Sequence, residues 1–85
     1  MTPDSSDWQP ITLPDLGANE RPIRVSTWLT QIGKEVLAGE ALVEVLLNGI
    51  TFDVEAPVSG QLRRIVRFEN DVIEVDGVLG ELEAR

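Results

Sequence analysis

The chain has 85 residues, a net charge of −8, and neither cysteine nor histidine. That length holds one small domain, which buries little more than about 60% of its unfolded surface. The composition excludes disulfides and thiolate sites, removes the usual general base and the commonest metal ligand, and disfavours nucleic acid or an anionic membrane as partner.

The opening stretch MTPDSSDWQP is acidic and polar with no apolar core, so it is not read as a signal peptide. Residues 1–9 are expected to form a flexible tail and residues 10–85 the domain. Trp8 either stands exposed or folds back on the domain. No apolar run approaches the roughly 18 residues that span a bilayer, so no membrane is expected. The lack of cysteine fits a reducing cytosol, and the expected location is cytoplasmic. Helix signals are poor. Short segments rich in Val, Ile and Leu, punctuated by Gly, Pro and Asn, predict strands over 10–14, 22–29, 35–38, 41–47, 50–56, 60–68, 72–75 and 78–83. PDLGANERP (14–22) reads as a loop and APVSG (56–60) as a turn.

The strongest local signal is VLLNGITF (45–52), two apolar runs meeting at Asn48-Gly49. Asn-Gly fits a two-residue type I′ turn, which needs positive φ at both central residues. That turn sets Leu47 opposite Ile50, Val45 opposite Phe52 and Val43 opposite Val54 on one apolar face, which should be core. The other face pairs Leu46 with Thr51, Glu44 with Asp53 and Leu42 with Glu55, and should meet water. Glu44 and Asp53 read either as a tolerated charge cluster costing a few tenths of a kcal/mol or as an acid–base pair or cation site, for which no third ligand is visible. The expected core is Val43, Val45, Phe52, Val54, Ile65, Val72 and Leu79.

The chain also repeats. WLTQIGKEVLAGEALVEV (28–45) superposes on IVRFENDVIEVDGVLGEL (65–82) at a spacing of 37 residues. Val36 falls on Ile73, Leu42 on Leu79, Glu44 on Glu81, and Gly33 on Asn70, two residue types that accept left-handed geometry. Two similar all-β halves imply a pseudo-twofold sandwich around one core.

ITLPDLG (11–17), VSTWLTQIGKEVLAGEALVEV (25–45), FDVEAPVSGQL (52–62) and NDVIEVDGVLGELE (70–83) together resemble the lipoyl domain family. That family includes the swinging-arm domains of 2-oxo acid dehydrogenase complexes and, more distantly, biotin carriers. The resemblance covers about 11–83. It implies a flattened β-barrel or sandwich of two four-stranded antiparallel sheets with quasi-twofold symmetry. It also implies a carrier lysine at a hairpin apex, in an Asp-Lys-Ala stretch whose amine takes lipoic acid or biotin. Carried over by position, Asp becomes Asn48, Lys becomes Gly49 and Ala becomes Ile50. Glycine cannot form that amide. The single lysine, Lys34, does not align there. It reads as an ordinary solvated turn residue.

No cofactor and no metal are therefore expected. The residues around the family's attachment position are apolar where relatives carry polar ones. Leu46, Leu47, Asn48, Gly49 and Ile50 form a candidate partner-binding tip. The plainer reading is cross-strand packing of Leu47 on Ile50. Arg63, Arg64 and Arg67 form a second candidate docking spot, or neutralise nearby acids including Glu44 and Asp53. The expected function is a monomeric, non-catalytic binding or scaffold module for a protein partner, such as an enzyme that recognises carrier domains. The alternative is an acyl or lipoyl carrier with an unrecognised attachment at Lys34 or the N-terminus. An enzyme in its own right is the weakest reading, because Ser5, Ser6, Ser26 and Ser59 have no evident base.

Overall fold

The computed structural model of the chain describes residues 8–19 and 21–85. Among them are eight strands: β1 (Gln9–Thr12), β2 (Ile23–Trp28), β3 (Glu35–Val36), β4 (Ala41–Leu47), β5 (Ile50–Glu55), β6 (Gly60–Ile65), β7 (Val72–Ile73) and β8 (Val78–Ala84). The expectation of a tail over 1–9 lies outside the described residues up to residue 7. Gln9, which that expectation assigns to the tail, belongs to β1, where it faces Leu82. Trp8 is half-buried.

The strands build two four-stranded antiparallel sheets, ordered β1-β8-β6-β3 and β5-β4-β2-β7. Adding 37 to β2, β3 and β4 of one half gives β6, β7 and β8 of the other, so the sequence repeat is a structural pseudo-twofold. Details repeat with it. Val25 faces Val45 and Thr27 faces Glu44 across a register shift; Leu62 faces Leu82 and Arg64 faces Glu81 across the same shift. Gly33 and Asn70 both have positive φ, as do Gly39 and Asp76. Even the turn bonds match: Gly33 N–H donates to the Leu62 carbonyl, and Asn70 N–H to the Val25 carbonyl.

The core between the sheets is aliphatic. Ile11, Leu13, Leu42, Val43, Val45, Leu62, Leu79 and Leu82 are fully enclosed, and Ile23, Val25, Val36, Val54 and Ile73 nearly so. Of the expected core, Val43, Val45, Val54 and Leu79 are buried, whereas Phe52 and Ile65 pack against its rim half-buried. Val72 is instead exposed. It sits in the two-residue edge strand β7, where Ile73 turns inward opposite Ile23 and the alternation sends Val72 outward. Leu42 is the opposite correction. A register shift between Ala41 and Val43 bulges β4, so Leu42 and Val43 both point inward and Leu42 does not pair with Glu55.

Candidate functional site at the hairpin tip

The β4–β5 register is Leu47↔Ile50, Leu46↔Thr51, Val45↔Phe52, Glu44↔Asp53 and Val43↔Val54, as the Asn-Gly turn dictates. Asn48 has φ 53° and Gly49 φ 81°, the positive pair that a type I′ turn requires. A Cβ built on Gly49 would meet nothing within 4 Å, so the apex stands free of the body. The tip residues divide by alternation. Leu47 is buried over the core, while Leu46 is 38% and Ile50 59% exposed. Ile50, on the face that the pairing assigns to the core, is instead exposed. As the first residue of an edge strand beside the turn, it has no neighbour on its outer side.

Strand pairing extends the site beyond the tip. Leu46 faces Thr51 on one side and Arg24 on the other, and Arg24 in turn faces Val72. These outward residues form one row across the sheet. Arg24 Nη1 donates to the Asn70 carbonyl at 2.9 Å, so its head is tethered and its aliphatic stem lies between Leu46 and the 52% exposed Val72. Arg24 and Val72 carry no mark in the linear pattern. Only the two pairings of β2 bring them beside Leu46.

The three candidate arginines do not reach the tip. Arg63 binds Glu83 at 2.9 Å and Arg64 binds Glu81 at 3.3 Å, both on the sheet of β6 and β8. Glu44 and Asp53 belong to the other sheet, so the expected neutralisation of those two falls instead on Glu81 and Glu83. Arg67 is exposed, and its carbonyl accepts the Trp28 indole N–H at 2.8 Å. The pseudo-twofold sharpens the contrast. Glu44 corresponds to Glu81, but Arg64 corresponds to Thr27. All three ion pairs found among the described residues, including Arg85 with Glu35, lie on the β1-β8-β6-β3 sheet. The Glu44–Asp53 face has none among the described residues. No group of three or more Asp or Glu side chains placed to hold a metal ion occurs among the described residues.

A lipoyl or biotinyl group does not fit this tip. Its amide needs an amine, and the apex offers the backbone of Gly49. Lys34, the single lysine, lies exposed in the turn before β3, where its carbonyl accepts the Leu62 N–H.

Two quasi-symmetric four-stranded sheets with a free hairpin apex define a small two-sheet β domain. The family model described as "Biotin-requiring enzyme" matches residues 9–82, and the chain belongs to this biotin/lipoyl family. It is 36% identical over 74 residues to the dihydrolipoyllysine-residue succinyltransferase component of the 2-oxoglutarate dehydrogenase complex of Bartonella vinsonii subsp. berkhoffii, covering 87% of this chain and 18% of that one. It is 37% identical over 73 residues to the acetyltransferase component of the acetoin cleaving system of Cupriavidus necator, covering 86% and 20%. It is 32% identical over 80 residues to the acetyltransferase component of the pyruvate dehydrogenase complex of Mycobacterium bovis, covering 94% and 14%. The chain thus spans a fifth or less of these curated relatives. Among solved structures, the lipoyl domain of the Azotobacter vinelandii 2-oxoglutarate dehydrogenase complex superposes with a TM-score of 0.65 at 24% identity, covering 85% of this chain and 94% of that one. That likeness speaks for the fold.

Proposed function

We propose that this chain is a non-catalytic docking module of the lipoyl type, which engages an enzyme through its hairpin tip and bears no prosthetic arm. The observation that carries the reading is the apex itself: a free turn with Gly49 at its summit, flanked by the exposed aliphatics Leu46 and Ile50. The relatives are named as components of multienzyme dehydrogenase systems, which supports an enzyme of such a complex as the partner. The outer face beside the tip supports it too. Its row of Leu46, Arg24 and Val72 borders the unpaired Glu44 and Asp53, a mixture suited to a partner surface with aliphatic and basic side chains. Burying about 150 Å² of apolar area there yields a few kcal/mol before association costs, enough for a weak contact.

Two measurements test the reading. Protein isolated from its native host should carry no lipoyl or biotinyl mass increment; such an adduct refutes the claim that it has no arm. Binding to the purified enzyme components of a 2-oxo acid dehydrogenase complex from that host should weaken on Leu46→Ser, with little change in melting temperature. Unaltered binding would place the contact elsewhere, and unfolding would make Leu46 structural.

A further inference from the structure

We propose that the Asn48–Gly49 bond is a site of spontaneous covalent modification, at which the hairpin apex converts from a neutral amide to a carboxylate without an enzyme. The chemistry needs the chain itself and water. The backbone nitrogen of Gly49 attacks Cγ of Asn48, forming a new N–C bond. The side-chain amide nitrogen leaves as ammonia, taking up the proton that Gly49 N–H gives up. The resulting five-membered succinimide is opened by water at either carbonyl. One opening gives aspartate, the other isoaspartate, in which the main chain runs through the former side chain. One water is consumed and one ammonia released, with no change of oxidation state.

The structure singles out this position among the three asparagines of the chain. The attacking nitrogen must be uncrowded and unoccupied. Asn19 and Asn70 precede Glu20 and Asp71, whose side chains hinder the approach, whereas Gly49 has none. The Asp71 N–H is also engaged, donating to the Phe68 carbonyl at 3.0 Å. Gly49 N–H has no hydrogen-bond partner among the described residues, and neither does the Asn48 side chain. The chain contains a second susceptible dipeptide, Asp76-Gly77, which could form the same ring. There the nucleophile is held, because Gly77 N–H donates to the Glu74 carbonyl at 2.9 Å. Space decides the rest. Bringing nitrogen to Cγ requires rotation within the turn. Beyond the Leu47↔Ile50 pair every residue is exposed, and a Cβ on Gly49 would touch nothing within 4 Å. No packed neighbour resists the rotation.

The product alters the tip in two ways. A negative charge appears between Leu46 and Ile50, and the isoaspartyl form lengthens a two-residue turn that has no slack. This inference does not depend on the docking reading.

The test uses the whole chain, folded, held in mildly alkaline buffer and sampled over days. Cleavage after Lys34 and Arg63 isolates Asn48 as the sole asparagine of its peptide. The expected result is a gain of one mass unit in that peptide, split into two chromatographic forms, at a rate roughly tenfold or more above that of Asn70. Protein-isoaspartate methyltransferase should label the aged chain at position 48. Asn48→Gly, which suits a type I′ turn equally well, should abolish both signals. Equal rates at Asn48 and Asn70 would overturn the proposal. So would label concentrated at Asp76, or a folded chain that stays unmodified while the urea-unfolded chain converts.

Discussion

A side chain at position 49 would project into open space, which makes this glycine unlike Gly60. At Gly49 the obstacle is conformational: φ of 81° costs a residue with Cβ about 1 kcal/mol. Gly49→Lys should therefore fold, melt a few degrees lower, and gain mass with lipoate–protein ligase, while the unmutated chain does not. A melting curve and an intact mass check both parts; labelling of the unmutated chain contradicts them. At Gly60 the obstacle is matter. A Cβ there would press on the Glu83 carbonyl and lie 3.1 Å from the Cα of Ala84. Gly60→Ala should cost about 1–3 kcal/mol, read by denaturant unfolding. The sequence shows the first glycine and hides the second for one physical reason. Asn-Gly is a statement about two adjacent residues, whereas the need at Gly60 arises from a strand more than twenty residues away.

Elements differ in how far their faces can be read from alternation. β5 and the upper part of β4 follow it, so the tip pairings were legible down to the residue. Alternation fails at Leu42, where one extra residue in β4 turns two consecutive side chains inward, and nothing local marks that bulge. The repeat does mark it indirectly, since Leu42 falls on Leu79. The repeat likewise pointed at Ile73 rather than Val72 through its match with Val36. Burial then ranks the consequences. Leu62 is fully enclosed in the inner strand β6, and Leu62→Ala should cost about 3 kcal/mol or more. Phe52, half-buried on the edge strand β5, should cost less on truncation to Ala despite its larger ring. Comparing the two unfolding free energies tests the ranking.

At the scale of the molecule, the pseudo-twofold supplies its own control. One outer face carries arginine–glutamate pairs; the other carries Glu44 and Asp53 with Thr27 where symmetry would place an arginine. Thr27→Arg should restore the missing pair. On this outer sheet face, where Thr27 and Glu44 are half-buried, it should raise stability by about 1 kcal/mol. It should weaken enzyme binding more than stability changes, which a melt and a titration at two salt concentrations would separate. The candidate site was legible at the hairpin tip and illegible at Arg24 and Val72, because a row across a sheet exists only once strands from distant segments have paired. The same topology sets an order in time. In the β1-β8-β6-β3 sheet no two neighbours are consecutive in the chain, and in the β5-β4-β2-β7 sheet the β4–β5 hairpin is the one pairing of adjacent strands among those described. Every other pairing must close a longer loop, with a correspondingly greater entropic cost. The turn at Asn48-Gly49 is thus the earliest closure available to the chain. A change such as Asn48→Ala, which penalises positive φ, should slow refolding while leaving the unfolding rate nearly unaltered. The residues that shape the candidate tip would then also be those that start the fold.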